Sequence, residues 1–397
     1  STSMVVDLTI REGRVVAIEP AGEGEASAIE IDAAGNLVTE SFVNTHLHLD
    51  KAFTLRRLGD AALVDYQAGG MGKAMTAIET AAAVKESQDV AEMTAAGRRA
   101  LAMAAYYGNT HIRALADVDS KAGTRGVEVL VSLRDEFAGV VDVQVVAFAQ
   151  DGIIREPGTD ALLYRSMELG ADVVGGIPWI EYTEADMAAH VKTVFDIAVE
   201  HDAPVSMLLD DAGDPGLRTL EMMATEALRR GWIGRALAHH CRAMQLYPDP
   251  YFERLVSLLV AAGVAVVSDP QTGPLHARVR ELATAGVNVS LGQDDISDAY
   301  YAFGRNNMLE VAFLGAHLLW MMTEPDMEFL YDMITLNPAA AIGLEGHEIA
   351  IGNEANLVVL EAETVREALR FHVAPRAVVC HGRLIDKESM KAAAAVP

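Results

Sequence analysis

Residues 42–53 (FVNTHLHLDKAF) contain two histidines separated by one residue, His46 and His48. Alternate residues of a β-strand point to the same side, so both imidazoles can face one metal ion. Neutral imidazole is a good ligand for Zn²⁺ and Fe²⁺. A histidine pair in the core or on the surface is the alternative explanation. The position of the pair in the fold therefore decides how it is interpreted.

The last strand-like run of the chain's middle section, residues 287–295, ends in two carboxylates, Asp294 and Asp295. In a closed eight-stranded barrel the last strand lies beside the first, and barrel active sites form where the strands end. Asp294 is thus a candidate third ligand, or a base that accepts a proton from water. A helix N-cap is the alternative, and it suits Asp298 better.

Two adjacent histidines, His239 and His240, end another strand-like run. Adjacent strand residues point to opposite faces, so one of the two is predicted to look into the site. The other is predicted to pack outward against a helix.

The elements that position these residues alternate between apolar β-rich runs and amphipathic helical stretches, which predicts parallel βαβ units. With the strand after Thr39 the count of strands reaches eight, which favours a (β/α)₈ barrel over an open sheet. No glycine-rich GxGxxG turn follows any of these strands, which counts against a dinucleotide fold. The predicted strand–helix pairs are 109–118 with 124–138, 141–149 with 159–169, 171–178 with 184–201, 204–211 with 217–230, 235–241 with 249–262, 264–269 with 276–285, and 287–295 with 306–322.

Both ends of the chain read as short strands separated by glycines and charged turns. We therefore predict an α/β protein of two domains: a barrel of residues 41–344, and a small β-sandwich domain formed by residues 1–40 and 345–397. The predicted strands of the small domain are 5–10, 14–18, 28–32, 356–361 and 377–385.

Composition excludes several classes of function. The chain has 397 residues, with 31 Lys and Arg against 57 Asp and Glu, and its formal net charge is −26. Such a chain repels phosphate backbones and anionic lipid, so we expect no nucleic-acid or membrane partner. Cys241 and Cys380 form no CxxC pair, which disfavours a disulfide framework. The first residues lack the pattern of a signal peptide, and a cytoplasmic location is expected.

The pattern of HxH after strand one, histidine on strand six and aspartate on strand eight resembles the amidohydrolase superfamily. Within it, the chain looks like the bacterial cytosine deaminases and the N-isopropylammelide amidohydrolases. The segments that carry the resemblance span nearly the whole chain. They are DLTIREGRVVAIEP, HLHLDKAFT, VDVQVVAFAQDGI, LGADVVGGIPWIEYT, GQDDISDAYYAFGRNNMLEV, TLNPAAAIGL and GNEANLVVLE.

The resemblance implies a role for individual residues and one divalent metal ion per chain, Zn²⁺ or Fe²⁺. It also implies a small-molecule substrate and a homo-oligomer. The implied metal ligands are His46, His48 and Asp294. The implied catalytic residues are Asp294, His240, which orients the attacking water, and Asp211. The implied substrate-binding residues are Gln150, Asp295, Trp179 and Tyr300.

Three positions depart from the superfamily pattern. Leu208 stands where the pattern has a metal-binding histidine on strand five, and Leu115 replaces another histidine near the site. Asp211 stands where the pattern has a catalytic glutamate and is one methylene shorter. A shift of ~1 Å in such a group lowers rates by about 10²-fold. Three protein ligands plus water still make a catalytic metal site.

Three functional hypotheses follow. The first is a metal-dependent hydrolase that cleaves a C–N bond of a small cyclic amide, amidine or amino-substituted N-heterocycle by metal-activated water. Leu208 and Leu115 predict a ligand bulkier or more apolar than cytosine. The second is a metal-free or catalytically silent barrel that binds a small molecule. The third is a scaffold subunit, for which the Met-rich segment 312–322 is the one indication. Lys51 and residues 55–75 are interpreted as a loop or lid.

Overall fold

The chain begins with a hairpin and a short strand in the computed structural model. They are β1 (Val6–Arg11), β2 (Arg14–Pro20) and β3 (Val38–Glu40). The strand predicted at 28–32 does not form, and these residues are exposed and irregular. The structure describes residues 4–24, 27–59, 63–64, 82, 85 and 88–395.

Eight strands form one parallel sheet in which chain neighbours are also sheet neighbours. The last strand returns to the first through a bridge between Leu47 and Asp294. Backbone N–H groups of His48 and Asp294 donate to the carbonyls of Asp294 and His46, each over 2.8 Å. The predicted (β/α)₈ barrel is thus confirmed. Its strands are β4 (Phe42–Leu47), β5 (Asn109–Asp117), β6 (Asp142–Ala149), β7 (Val173–Gly176), β8 (Val205–Leu209), β9 (Ala236–His240), β10 (Ala265–Ser268) and β11 (Val289–Leu291).

Helices cover the outside of the barrel, and the helix after β7 illustrates why. It begins at Glu184 because the Thr183 side chain caps it, accepting the N–H of Asp186. Its apolar residues recur at the helical spacing, and this buried stripe faces the sheet. Each such Val or Phe contributes roughly 1.5–3 kcal/mol on burial. The buried stripe is Val191, Val194, Phe195 and Ala198.

The helices of the barrel include the seven predicted ones, in the predicted order and with ends shifted by a few residues. They are α1 (Leu55–Leu58), α2 (Val90–Tyr107), α3 (Arg125–Phe137), α4 (Thr159–Glu168), α5 (Glu184–Glu200), α6 (Thr219–Arg230), α7 (Asp249–Ala262), α8 (Val279–Thr284), α9 (Met308–Leu318), α10 (Glu324–Asp332) and α11 (Leu336–Ala341). Among the described residues, no helix is both long and apolar enough to cross a membrane.

Short 3₁₀ turns follow four of the barrel strands at their carboxyl ends, where barrel active sites form. They hold side chains close to the strand ends instead of letting the chain leave in a long loop. The turns are Leu49–Lys51 after β4, Pro178–Ile180 after β7, Arg242–Leu246 after β9 and Pro270–Thr272 after β10.

The remaining strands join the two ends of the chain in one small domain. They are β12 (Leu357–Val359), β13 (Ala377–Cys380) and β14 (Arg383–Leu384), and they pair in the order β14-β13-β12-β3. The β1–β2 hairpin packs Val15 against Leu357 and Val379 of this sheet. A small β domain built from both ends is therefore confirmed, while its predicted boundaries stay predictions. Its helices are α12 (Val365–Phe371) and α13 (Lys387–Ala394).

Candidate active site

His46, His48 and Asp294 meet at the carboxyl end of the barrel; we call these three residues the mouth cluster. A register shift between Asn44 and Leu47 in β4 accompanies this local geometry. The Nε2 atoms of the two histidines are 3.4 Å apart. Asp294 Oδ1 lies 3.4 Å from His46 Nε2 and 3.7 Å from His48 Nε2. The structure thus brings together the three ligands that the sequence predicts.

The mouth cluster fits a divalent metal ion by geometry and by chemistry. In a tetrahedral site with bonds of 2.0–2.1 Å, two ligand atoms are about 3.3–3.4 Å apart. The three observed separations are close to this value. All three side chains are buried, and two imidazoles with one carboxylate form a donor set suited to Zn²⁺ or Fe²⁺. The residues present therefore fit the ion that the superfamily resemblance implies.

Asp269, at the end of β10, orients His46. His46 Nδ1 donates to Asp269 Oδ2 over 3.1 Å, which turns its Nε2 towards the mouth cluster. Burial lowers the pKa of His46, but the charges of Asp269 and Asp294 outweigh burial and raise it. Sequence reasoning missed Asp269. The sequence signal for Asp269 as a site residue was its position directly after a barrel strand.

Both histidines at the end of β9 lie beside the mouth cluster. The rings of His239 and His240 are 4.3 and 4.9 Å from the ring of His46, centroid to centroid. The prediction that one of them packs outward against a helix is wrong. His240 has a φ of 63°, which ends the alternation of strand side chains. His239 points into the barrel, where its Nε2 lies 2.6 Å from Ser206 Oγ.

His240 faces the mouth cluster as the superfamily resemblance implies. Its Nε2 lies 3.9 Å from Asp294 Oδ1, and its Nδ1 lies 3.3 Å from Asp269 Oδ2. Burial lowers the pKa of His240 well below the ordinary value for histidine. Its imidazole is therefore neutral at physiological pH and able to donate one hydrogen bond.

Asp211 is not a solitary carboxylate. Arg242 Nη1 donates to Asp211 Oδ1 over 2.6 Å, and its Nη2 donates to Thr272 Oγ1 over 2.5 Å. Arg242 Nη2 also lies 3.9 Å from Asp294 Oδ2. Burial raises the pKa of Asp211 and outweighs the lowering effect of Arg242. Sequence reasoning missed Arg242 and Thr272, because each lies on a 3₁₀ turn beyond its strand.

Asp210, the residue before Asp211, has a structural role. Its side chain accepts hydrogen bonds from the backbone N–H and the hydroxyl of Thr219, at the start of α6. The hydroxyl of Tyr247 donates to its other oxygen over 2.5 Å. These contacts hold the carboxylate at the end of a helix and leave it no part in the mouth cluster.

Lys51 lies on the turn after β4, in keeping with its interpretation as a loop residue, and its side chain is buried among residues of the site. Its Nζ donates to Gln150 Oε1 over 2.9 Å and to Asp117 Oδ1 over 3.1 Å. The Gln150 amide oxygen is therefore occupied, and its Nε2 group remains as a donor for a ligand. Lys85 Nζ contacts Asp117 Oδ2 at 2.8 Å from the other side.

A cavity lies over the mouth cluster, and His48 and Asp294 are among the residues that line it. One wall is apolar and contains Leu208, the residue that replaces a superfamily histidine. All predicted substrate-binding residues line it. The lining residues are His48, Gln150, Ile177, Trp179, Leu208, Asp211, His240, Arg242, Thr272, Asp294, Asp295 and Tyr300.

Asp295 and Asp298, which follow β11, have different surroundings. Burial, together with Asp294 and Asp298, raises the pKa of Asp295 well above its usual value, which favours its protonated form. Asp298 is not the predicted helix N-cap. It accepts the N–H groups of Tyr300 and Tyr301 in a turn, and Asn307 caps α9 instead.

The segment predicted as a lid lies mostly outside the described residues, which include its start as α1 (Leu55–Leu58) and residues 63–64. Leu115 is buried below the cavity beside Val146 and Phe148, away from the lining. It therefore acts on the site through packing and not by contact with a ligand.

A parallel eight-stranded barrel that gathers histidines and aspartates at its mouth has the architecture of the hydrolytic α/β barrels. A sequence model described as the amidohydrolase family matches residues 30–386. The chain belongs to this family.

Three relatives are similar over nearly their whole length. The chain is 29% identical to the N-isopropylammelide isopropyl amidohydrolase of Pseudomonas sp. (strain ADP), covering 97% of this chain and 94% of that protein. A solved structure of 5-methylcytosine deaminase from Klebsiella pneumoniae with phosphonocytosine is 31% identical, with a TM-score of 0.89 over 97% of this chain and 95% of that one. The N-isopropylammelide isopropylaminohydrolase of Burkholderia multivorans is 25% identical, with a TM-score of 0.79 and coverages of 96% and 94%. These relatives support a hydrolytic function directed at C–N bonds.

Proposed function

We propose that this chain is a metal-dependent hydrolase that releases ammonia or an amine from a small amino-substituted N-heterocycle, or opens a cyclic amide or amidine. The observation that carries the proposal is the set of short distances within the mouth cluster. The named activities of the relatives, a deaminase and two amidohydrolases, support cleavage of a C–N bond.

His46, His48 and Asp294 are the residues that would hold the ion. A divalent ion bound there supplies Lewis acidity and lowers the pKa of water. Asp269 holds His46 in the required tautomer through its hydrogen bond to Nδ1. The Leu208 side chain contributes no ligand, so the protein ligand set consists of two imidazoles and one carboxylate.

Asp294 is the proposed base for the attacking water. Burial raises the pKa of Asp294, but His240, His46 and Arg242 outweigh burial and lower it, which keeps the carboxylate ionised. His240 orients water and stabilises negative charge that develops on the attacked carbon's substituents. Arg242 holds Asp211 in a salt bridge, so Asp211 takes part as one half of a charged pair.

The cavity walls indicate the substrate class. Gln150 offers an amide N–H, which would recognise a carbonyl oxygen or a ring nitrogen. Trp179 and Leu208 form an apolar face suited to a flat ring. Because Leu208 adds apolar surface, we propose a ring larger or less polar than cytosine.

The alternative is a barrel that binds a small molecule without turnover. Leu208 at a ligand position and the Asp211–Arg242 pair favour it, because each removes a group that the superfamily pattern uses. Both hypotheses place the ligand in the same cavity, and they differ in metal content and in product formation.

The test combines elemental analysis with an assay for released ammonia or amine on a panel of amino-triazines, amino-pyrimidines and cyclic amides. We expect metal at the mouth and turnover of at least one compound in the wild type, and loss of both in His46→Ala. His317→Ala removes an exposed histidine of α9 and serves as the matched control. Ligand binding without product formation in metal-reconstituted protein would establish the alternative.

A further inference from the structure

A second group of histidines and carboxylates lies at the opposite end of the barrel. We call His111, Asp142 and His381 the base cluster. His111 is near the start of β5 and Asp142 is the first residue of β6, so both lie where the strands enter the barrel. His381 belongs to the small β domain, in the turn between β13 and β14. The group therefore spans the boundary between the two domains.

We propose that the base cluster binds a second divalent transition-metal ion, of the zinc type, which ties the small β domain to the barrel. The ligand atoms are Nε2 of His111, Nε2 of His381 and Oδ2 of Asp142, and all three lie within 4.8 Å of one another. Asp142 Oδ2 is 3.5 Å from His111 Nε2 and 2.7 Å from His381 Nε2. Two imidazoles and a carboxylate are ligands that Zn²⁺ prefers.

Both histidines carry the outer hydrogen bonds that metal-binding histidines have. His381 Nδ1 lies 2.8 Å from Glu354 Oε2. His111 Nδ1 lies 2.7 Å from Thr110 Oγ1, which in turn lies 2.6 Å from Ser41 Oγ. When each Nδ1 donates outward, each Nε2 presents its lone pair to the space beside Asp142.

The His111 imidazole points to a missing partner. Its Nε2 is buried, with the side chain 6% exposed, and it has no hydrogen-bond partner among the described residues. A buried polar atom without a partner is uncommon in folded proteins and calls for an ion, a water or another explanation.

The backbone holds His381 in place for this contact. His381 and Gly382 have φ values of 48° and 72°, as in the tight two-residue turns that join antiparallel strands. The N–H of His381 donates to Asn356 Oδ1 over 2.8 Å. Because the side chains of His381 and Asp142 are 32% and 40% exposed, an ion and a water ligand can reach the site from solvent.

The competing occupant is a proton. A protonated His381 would bridge Asp142 and Glu354 through hydrogen bonds of 2.7 and 2.8 Å, with no metal involved. The two occupants make different predictions, because a proton leaves His111 Nε2 without a partner and gives no metal stoichiometry.

The test is metal analysis of the full chain after loading with zinc and removal of free ion. We expect two ions per chain in the wild type, one in His46→Ala and one in His381→Ala, with unchanged hydrolytic activity in His381→Ala. Asp142→Asn provides an independent second variant, and anomalous scattering at the zinc edge locates each ion. A wild type without zinc at the base, or base zinc that survives both His381→Ala and Asp142→Asn, would overturn the proposal. A wild type that holds zinc at the base cluster and none at the mouth cluster would contradict the proposed function and leave this inference standing.

Discussion

The mouth cluster and the base cluster use the same residue types at the two ends of one barrel. At the mouth cluster, the side chains are almost fully buried, and a cavity adjoins His48 and Asp294. At the base cluster, two of the three side chains are about one third exposed, at 32% and 40%. Burial strengthens electrostatic effects at the mouth cluster, in keeping with the proposal of chemistry there and of domain attachment at the base cluster.

The largest expected effect tests whether the mouth alone performs chemistry. Asp294→Asn removes both a ligand and the proposed base, and general bases contribute about 10²–10⁴-fold to rate. We expect kcat/KM to fall by at least that factor, measured with the best substrate of the panel. Asp142→Asn makes the same change in the base cluster and should retain wild-type activity. Equal losses in both variants would contradict the division of roles.

The next effect concerns a buried charge pair beside the mouth cluster. Arg242 and Asp211 are both buried, with side chains 3% and 9% exposed. Arg242→Met leaves an unpaired buried carboxylate, and we expect the free energy of unfolding to fall by about 3–5 kcal/mol. Denaturant unfolding measures this change. The double variant Arg242→Met with Asp211→Leu should recover most of the lost stability. No recovery would mean that Arg242 stabilises the fold through other contacts.

A smaller effect distinguishes a residue that orients a metal ligand from a residue that binds the metal itself. Asp269 acts through His46, so Asp269→Asn should weaken metal binding and activity by about 10–100-fold without abolishing either. Metal titration and the separate values of kcat and KM distinguish a positioning role from general loss of structure, because excess metal should restore kcat. Glu354→Gln makes the corresponding change beside His381 and should weaken the base ion alone. Failure of excess metal to rescue Asp269→Asn would assign Asp269 a direct catalytic role.

The sequence predicted the residues of the mouth cluster far better than those of the base cluster, for a physical reason. His46 and His48 are two residues apart, so strand geometry alone brings them to one side, and the order of the barrel strands places Asp294 next to them. His111, Asp142 and His381 come from distant points of the chain, and only the docking of the β domain joins them. His239 was mispredicted because the positive φ of His240 cannot be read from sequence. Arg242 was missed because its side chain returns to the site from a 3₁₀ turn.

The smallest effect on catalysis should come from removing the base ion by graded chelation. Its ligands are partly exposed, so we expect a chelator to take this ion before the buried one, while the rate of turnover stays constant. Loss of an ion that joins two domains should lower the Tm by about 1 °C for each kcal/mol of binding energy removed, because the entropy of unfolding grows with chain length. Calorimetry and turnover, followed against the metal remaining per chain, test the order of release. Activity that falls with the first ion released would mean that the mouth loses its metal first, and the comparison between the two ends would then have to be reversed.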